Sequence, residues 1–404
     1  MAAIPLKTGS VTRPRARLVL PLLAGAVTWP AASAAADAGG RAIELHAQAS
    51  LDLVGVTRGG GGHGLEPVGV LDVSADVDLG RALDWPAPDR QGARAHVDFL
   101  ANAGGQPNTL AATLQGIDNL EVTGQGVRLY QVWIETSLPG GGGEVRVGFS
   151  DLNSDFYATD AACLLMGPAF GMGPELSRTG SLGASTYPSS ALGVRWRVRP
   201  SAQTYGEIAV VNARAGVLGD PGGPDFSFRD GVLTVTEAGW AGEGKVKVAI
   251  GAWAYSRAPG AAAGHGEPAD PVQRPARGAY AMAEAPLRAG VRAFIRGGFA
   301  GAGGTELAGA WQAGLRLEPA ISSRPNSSAS FGVSQALLPS SAIARGHDLG
   351  PPLAPTETEV EATYAEKLTP HLSIQPDIQY IHRPSGRRDV KDAAVFSLRL
   401  TAVL

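Results

Sequence analysis

The sequence predicts an all-β chain that closes into a single transmembrane antiparallel β-barrel of about sixteen strands. Three observations carry this expectation. Period-two alternation of apolar and polar residues recurs from end to end. Glycine and proline cluster between the alternating segments. Connections alternate between short and long. Charged residues make up 18% of the 404 residues while glycine reaches 55, a composition of many short strands and turns.

The alternation is plainest in four segments. In 68–79, Leu71, Val73, Ala75, Val77 and Leu79 share one face and Asp72, Ser74, Asp76 and Asp78 the other. In 192–199, Val194, Trp196 and Val198 alternate with Arg195, Arg197 and Arg199. Glu357, Glu359 and Glu361 oppose Val360, Ala362 and Tyr364. Near the end of the sequence, Phe396, Leu398, Leu400, Ala402 and Leu404 oppose Ser397, Arg399 and Thr401. A soluble sandwich would turn the apolar face to its core, whereas a membrane barrel turns it to lipid and lines water with the polar face.

Loop length separates these two readings. The candidate strands are 44–54, 68–79, 93–101, 127–136, 144–150, 191–200, 203–212, 230–240, 244–255, 277–285, 290–298, 307–318, 328–337, 357–368, 371–382 and 392–403. Short turns at Ser137–Gly143, Ser201-Ala202, 241–243, Pro286–Ala289 and Thr369-Pro370 alternate with long segments such as 151–190, 213–229 and 256–276. Connections short on one rim and long on the other belong to outer-membrane barrels, and an even strand count puts both ends on one side. The connections 80–92 and 319–327 are longer than this rule asks.

The first residues read as a cleaved secretory signal. Lys7, Arg13, Arg15 and Arg17 precede the apolar stretch Leu18–Trp29, which is too short to span a bilayer, and Ala32-Ser33-Ala34 supplies an A-x-A cleavage site. The expected division is therefore a leader over 1–34 and a barrel over 35–404. Removing the leader takes away four cations and no anion, so the net charge of −3 becomes −7. That balance argues against a nucleic-acid partner.

Catalysis finds no support. The single Cys163 can form neither an internal disulfide nor a cysteine zinc site, and the seven histidines show no metal-ligand spacing. No nucleophile elbow, P-loop or dinucleotide fingerprint is present. The sequence is thus expected to be no enzyme and to need no metal or cofactor.

The candidate functional residues are those that would face the lumen. Arg195, Arg197 and Arg199 would cost about 2–4 kcal/mol each at the lipid midplane, so they are expected to point inward and to bind sugar hydroxyls or attract anions. Glu357, Glu359 and Glu361 form an acidic row that could set a field across the lumen if it faced the arginines. Gln131, Trp133 and Glu135 share a face in 127–136, where an aromatic beside hydrogen-bonding groups suits a sugar; alternatively Trp133 belongs to the interfacial girdle. The long segment 151–190 has an apolar centre, Ala161–Met166 with Phe170, that is expected to fold inward and narrow the pore.

These segments resemble the carbohydrate-selective porins of the OprB type. The likeness is strongest over 119–171, where Arg128–Glu135 is similar to the family's R-L-Y-E-L-W-L-E strand and Asn153–Phe156 with Phe170-Gly171 resembles its constricting loop. A second stretch, 359–386, resembles L-T-P-W-L-S-L-Q-P-D-L-Q-Y-I, and 193–200 and 229–240 also match. The resemblance implies a passive sugar pore in the outer membrane of a Gram-negative bacterium. Arginines, glutamates and an aromatic would stand near the constriction, and Asn153 and Asp155 would lie in the loop. Expected partners are carbohydrates or other small solutes and membrane lipid, with homo-oligomerisation left open. Two other readings remain at this point. One is a general or anion-preferring pore or a polysaccharide export channel. The other is an exported, soluble β-rich carbohydrate-binding protein.

Overall fold

The computed structural model describes residues 41–84, 92–180, 183–242, 246–258, 274–301, 305–349 and 352–404, all within the unit Ala36–Leu404. The expected leader and most of loop 256–276 lie outside the described residues. Sixteen strands follow one another: β1 (Ile43–Arg58), β2 (Gly64–Asp78), β3 (Arg94–Gly104), β4 (Gly126–Ser137), β5 (Glu144–Ser150), β6 (Ala191–Val198), β7 (Thr204–Asn212) and β8 (Val232–Ala241). The second half comprises β9 (Lys247–Tyr255), β10 (Arg277–Arg288), β11 (Val291–Gly301), β12 (Gly309–Leu317), β13 (Ser327–Leu337), β14 (Thr356–Thr369), β15 (Leu372–His382) and β16 (Ala393–Val403). Each pairs antiparallel with its sequence neighbours, and β1 pairs with β16 from Gln48↔Val403 to Arg58↔Ala394, so the sheet closes. Closure satisfies the backbone without an open edge, which a bilayer requires.

The alternation works as read. On β6, Val194 and Trp196 are exposed on the outer wall while Arg195 is buried in the interior. Outward apolar side chains such as Leu45, Leu65, Ile250 and Ile295 are exposed, and buried polar ones such as Asp52, Gln312 and Glu361 line the inside. This inversion of a soluble protein suits a lipid exterior. Exposed aromatics mark both edges of the apolar band. Trp196 and Trp240 stand near the short-turn rim, with indole N–H groups donating to Gly142 O and Gln203 Oε1. Phe299, Trp311 and Tyr380 stand toward the long-loop rim. Among the described residues, no helix is long and apolar enough to cross a membrane. The helices are short: α1 (Leu79–Ala82), α2 (Pro107–Ala111), α3 (Pro174–Ser177) and α4 (Ser340–Leu349).

The wall has one irregular panel. β5 spans Glu144–Ser150 alone, so it pairs with β4 only from Val132↔Phe149 to Ser137↔Glu144. The unpaired upper part of β4 is covered by the segment between β7 and β8. Leu129 N donates to Leu218 O at 2.8 Å, and Asp220 meets Arg128 at 3.3 Å and accepts from Ser189 Oγ at 2.7 Å. Gly219 (φ +104°) lies so close that a Cβ there would meet Val127 O at 2.3 Å, hence glycine. On the outside, Phe226 packs edge-on against Phe149.

Candidate pore constriction

Loop 151–190 leaves β5 and folds into the barrel, as its apolar centre demands. Leu152, Phe156, Tyr157, Met172 and Leu176 bury against inward residues of the wall, among them Val211, Leu233, Val235, Trp253 and Tyr280. Ala161, Ala162, Leu165 and Phe170 form a second buried cluster with Phe294 of β11. Apolar burial of this kind contributes about 25 cal/mol per Å². The loop therefore occupies the lumen beside β6–β11.

Carboxylates of the wall hold the loop's backbone. Glu237 of β8 accepts from Tyr157 N at 2.9 Å, Glu284 of β10 from Ala161 N at 2.9 Å, and Glu361 of β14 from Gly167 N at 2.9 Å and from Met166 N. From the other side, fully buried Arg296 of β11 donates to Tyr157 O (3.1 Å) and Ala169 O (2.8 Å). Charged groups satisfy backbone groups that lack secondary-structure partners, and such charge-assisted bonds are the stronger kind.

A second loop, 105–125, also turns inward. Glu357 accepts from Leu114 N, Gln115 N, Thr113 Oγ1 and Ser385 N. Asn119 N donates to Met166 O at 2.9 Å, so the two inward loops are joined. The acidic row thus differs from its expected role. Glu357, Glu359 and Glu361 are inward but wholly buried beneath the loops, so they present no open acidic face to the arginines. Glu357 and Glu361 anchor backbone. Glu359 has both oxygens unpartnered among the described residues and lies against Gly167, where a Cβ would meet its Oε1 at 2.4 Å.

The arginines converge instead on carboxylates beside the loop. Arg146 and Arg195 meet Glu135 Oε2 at 2.9 and 2.6 Å, and Arg94 Nε meets Oε1 at 2.9 Å. Asp155, carried by the loop, receives Arg146 (2.8 Å), Arg197 (2.8 Å) and Arg195 (3.3 Å). Arg197 also meets Glu207 of β7 at 2.7 Å, and Glu144 lies 3.9 Å from Arg195. Four arginines therefore face four carboxylates, and the expected local excess of positive charge is cancelled. Arg199 does not join them: it lies past the end of β6, exposed at the short-turn rim.

Trp133 faces inward, not the lipid girdle, and is 8% exposed. Its faces are occupied: the Arg146 guanidinium lies 4.1 Å from the ring centroid and His96 stacks at 4.9 Å. It is therefore a spacer that sets the arginines, with no bare face for a sugar to stack on. Gln131 follows a register shift between β3 and β4 and accepts from Asp151 N at 3.1 Å, steering the loop's departure. Asp151 N-caps the following turn through Asn153 N. Burial pushes the Asp151 carboxyl up to about 6 against the pull of that hydrogen bond. Asn153 Nδ2 donates to Phe156 O, a bond internal to the loop.

Two solvent-open cavities flank this cluster. One of about 560 Å³ is lined by Glu44, Asp76, Arg81, Arg94, Glu135 and Glu144, among others. The other, of about 340 Å³, is lined by Asp155, Arg197, Arg199, Tyr205, Glu207 and Lys247, among others. Among the described residues no group of His, Cys, Asp and Glu side chains could hold a metal ion.

The family described as carbohydrate-selective porin, OprB family, matches residues 62–404. The chain belongs to that family. Among solved structures, the high-pH structure of Pseudomonas putida OprB superposes with a TM-score of 0.78 at 18% identity, covering 90% of this chain and 94% of that one. The outer-membrane channel DcaP of Acinetobacter baumannii gives a TM-score of 0.56 at 8% identity, covering 90% and 97%. The anion-selective porin from Comamonas acidovorans gives 0.55 at 10%, covering 90% and 99%. At these identities the structures speak for the fold. No curated protein matches the chain.

This OprB-family porin contains working residues that the sequence reading passed over. Glu237, Glu284, Arg296 and Arg399 do as much to shape the lumen as the residues singled out. Glu237, Glu284 and Arg399 are each the one charge among small, apolar or hydroxyl neighbours on the inward face of their strands, and Arg296 shares its face with Arg292 alone, and that was the available signal.

Proposed function

We propose that this porin admits neutral carbohydrates by passive diffusion through an outer membrane, exported with residues 1–34 as its cleaved leader. The long loops would face outward and the short turns the periplasm. The observation that carries the sugar preference is the electrically balanced constriction. Arg94, Arg146, Arg195 and Arg197 face Glu135, Glu144, Asp155 and Glu207, while the adjoining cavities remain open to solvent. Such a wall is dense in donors and acceptors yet favours neither ionic sign, which suits a neutral polyol better than an anion. An anion-preferring pore, like the one the Comamonas acidovorans name describes, would need unpaired arginines here. Of the three ladder arginines, Arg199 alone is exposed and stands outside this ion-pair network.

Single-channel recording with and without sugars tests this reading. Sugar should reduce ion current through the unmodified barrel. Arg197→Ala should weaken that block about tenfold, the worth of one charged hydrogen bond. It should also shift selectivity toward cations, since Asp155 and Glu207 lose a partner. A shift in selectivity with unchanged sugar block would make Arg197 wall electrostatics only. Absence of sugar block in the unmodified protein would leave a general pore.

A further inference from the structure

Toward the short-turn rim, the cavity of about 340 Å³ lies beside the arginine cluster. β6 and the residue after it bring Arg197 and Arg199 to its wall, β7 brings Tyr205 and Glu207, and β9 brings Lys247. Strand alternation places them on the lumen side, the face they share with buried Arg195, Ala209 and Ala249. Small-molecule sites span roughly 300–1,000 Å³, so this volume suits one small solute.

The two cavities differ in charge. The wall of the larger holds five carboxylates, among them Glu44, Asp76 and Glu144, against three arginines. The smaller holds three cations against two carboxylates, and Arg197 already grips both carboxylates, Asp155 at 2.8 Å and Glu207 at 2.7 Å. Asp155 receives Arg146 and Arg195 as well. The surplus is therefore positive. Arg199 is exposed and makes no ion pair among the described residues. Lys247 Nζ donates to Ala158 O at 2.9 Å and lies 5.6 Å from the Tyr205 ring centroid. Its nearest carboxylate, Glu237, is 3.8 Å away and already accepts from the phenols of Tyr205 and Tyr280. An ammonium has three donors, so Lys247 has others to offer. Glu207 Oε1, on a side chain that lines the cavity, has no partner among the described residues.

We infer that this cavity is a subsite for a monosaccharide that carries a carboxylate, of the uronic or aldonic acid class. The inference rests on the barrel being a porin, not on its preference for neutral sugars. Arg199 and Lys247 take the carboxylate, and a hydroxyl of the same molecule donates to Glu207 Oε1. A simple anion would meet the cations and leave Glu207 unpaired. A neutral sugar would meet Glu207 and leave the cations unpaired. A sugar acid satisfies both, and the larger, acidic cavity repels it.

The test is single-channel recording of the full barrel with D-glucuronate, D-glucose or acetate added on the short-turn side at matched ionic strength. In the parent, glucuronate should block the current about tenfold more tightly than acetate, since acetate lacks the hydroxyls. R199Q/K247Q should weaken glucuronate block about tenfold or more and glucose block far less. R199K/K247R keeps both charges and should keep most of the glucuronate block. Heat-modifiable migration confirms that each variant is folded. Equal glucuronate block in the parent and the glutamine variant would overturn the proposal. Acetate blocking the parent as tightly as glucuronate would make the cavity a plain anion site and overturn it too. So would equal loss of glucose and glucuronate block, which would assign the cavity to the neutral-sugar path. Glucuronate block in a parent that glucose does not block would support the subsite and remove only the neutral-sugar preference.

Discussion

The buried Glu175 is expected to make the stability of the fold depend on pH. It sits in α3, inside the loop, 1% exposed, with Oε1 accepting from Tyr157 Oη at 2.9 Å and Oε2 unpartnered among the described residues. Burial pushes its carboxyl up to about 7, and the Tyr157 hydrogen bond and the Arg296 charge pull only partly against that. The usual carboxylate value is about 4.3. The folded form therefore binds the proton more tightly than the unfolded one. Glu175 favours the fold below about 4.3, and that stability is lost as pH rises through about 7. The midpoint temperature of heat-modifiable unfolding should fall as pH rises from about 4.3 to about 7, and Glu175→Gln should flatten the fall. Asp151, Asp118 and Glu121 shift in the same direction, so part of the slope should remain. An E175Q slope equal to that of the parent would remove Glu175 from this role. Nothing in the sequence announced it, since Pro174-Glu175 reads as an ordinary acidic first turn. The arginine ladder, by contrast, was legible, because three cations on one strand face have only water to turn to.

At the scale of elements, period-two patterning located every strand, with ends off by up to about four residues. β1 runs on to Arg58 rather than stopping at 54, because its last residues still pair with β16 and β2. The loop 151–190 was legible because an apolar centre cannot stay in water. Loop 105–125 was not, because its hold on the barrel comes from backbone N–H groups bonded to Glu357, and backbone leaves no trace in the sequence. The long loop should behave as a plug tied at both ends. Deleting Ala161–Met172 removes the residues bonded to Glu284 and Glu361 and the cluster against Phe294. Single-channel conductance should rise in a variant that still shows heat-modifiable migration. Arg296→Met leaves the chain length unchanged but frees Tyr157 O and Ala169 O. It should give noisier current at intermediate conductance. Parent-like conductance in the folded deletion variant would mean that the loop does not limit the pore.

For the whole molecule, closure depends on a seam joining strands about 350 residues apart, β1 and β16. Alternation told which residues of each strand face inward but not that these two meet. Their pairing rested on the even strand count alone. At the seam Arg399 grips Asp52 with bonds of 2.8 and 2.6 Å and reaches Asn119 Oδ1 at 2.7 Å, so one cation ties first strand, last strand and second inward loop. Asp52 is 0% exposed. Burial, and then the Asp52 charge, push Asp118 well above the usual carboxylate range despite the opposing pull of Arg399. Removing the arginine alone leaves a buried carboxylate beside a second acid. Arg399→Met should therefore cost about 3–5 kcal/mol, and the seam should open first. Asp52→Asn combined with Arg399→Met removes both charges and should recover most of that loss, because replacing a buried pair by groups of similar size is often close to neutral. The midpoint of heat-modifiable unfolding for the two single variants and the double gives the coupling directly. Additive losses would show that closure rests on the backbone ladder between β1 and β16 and that the ion pair only fills space.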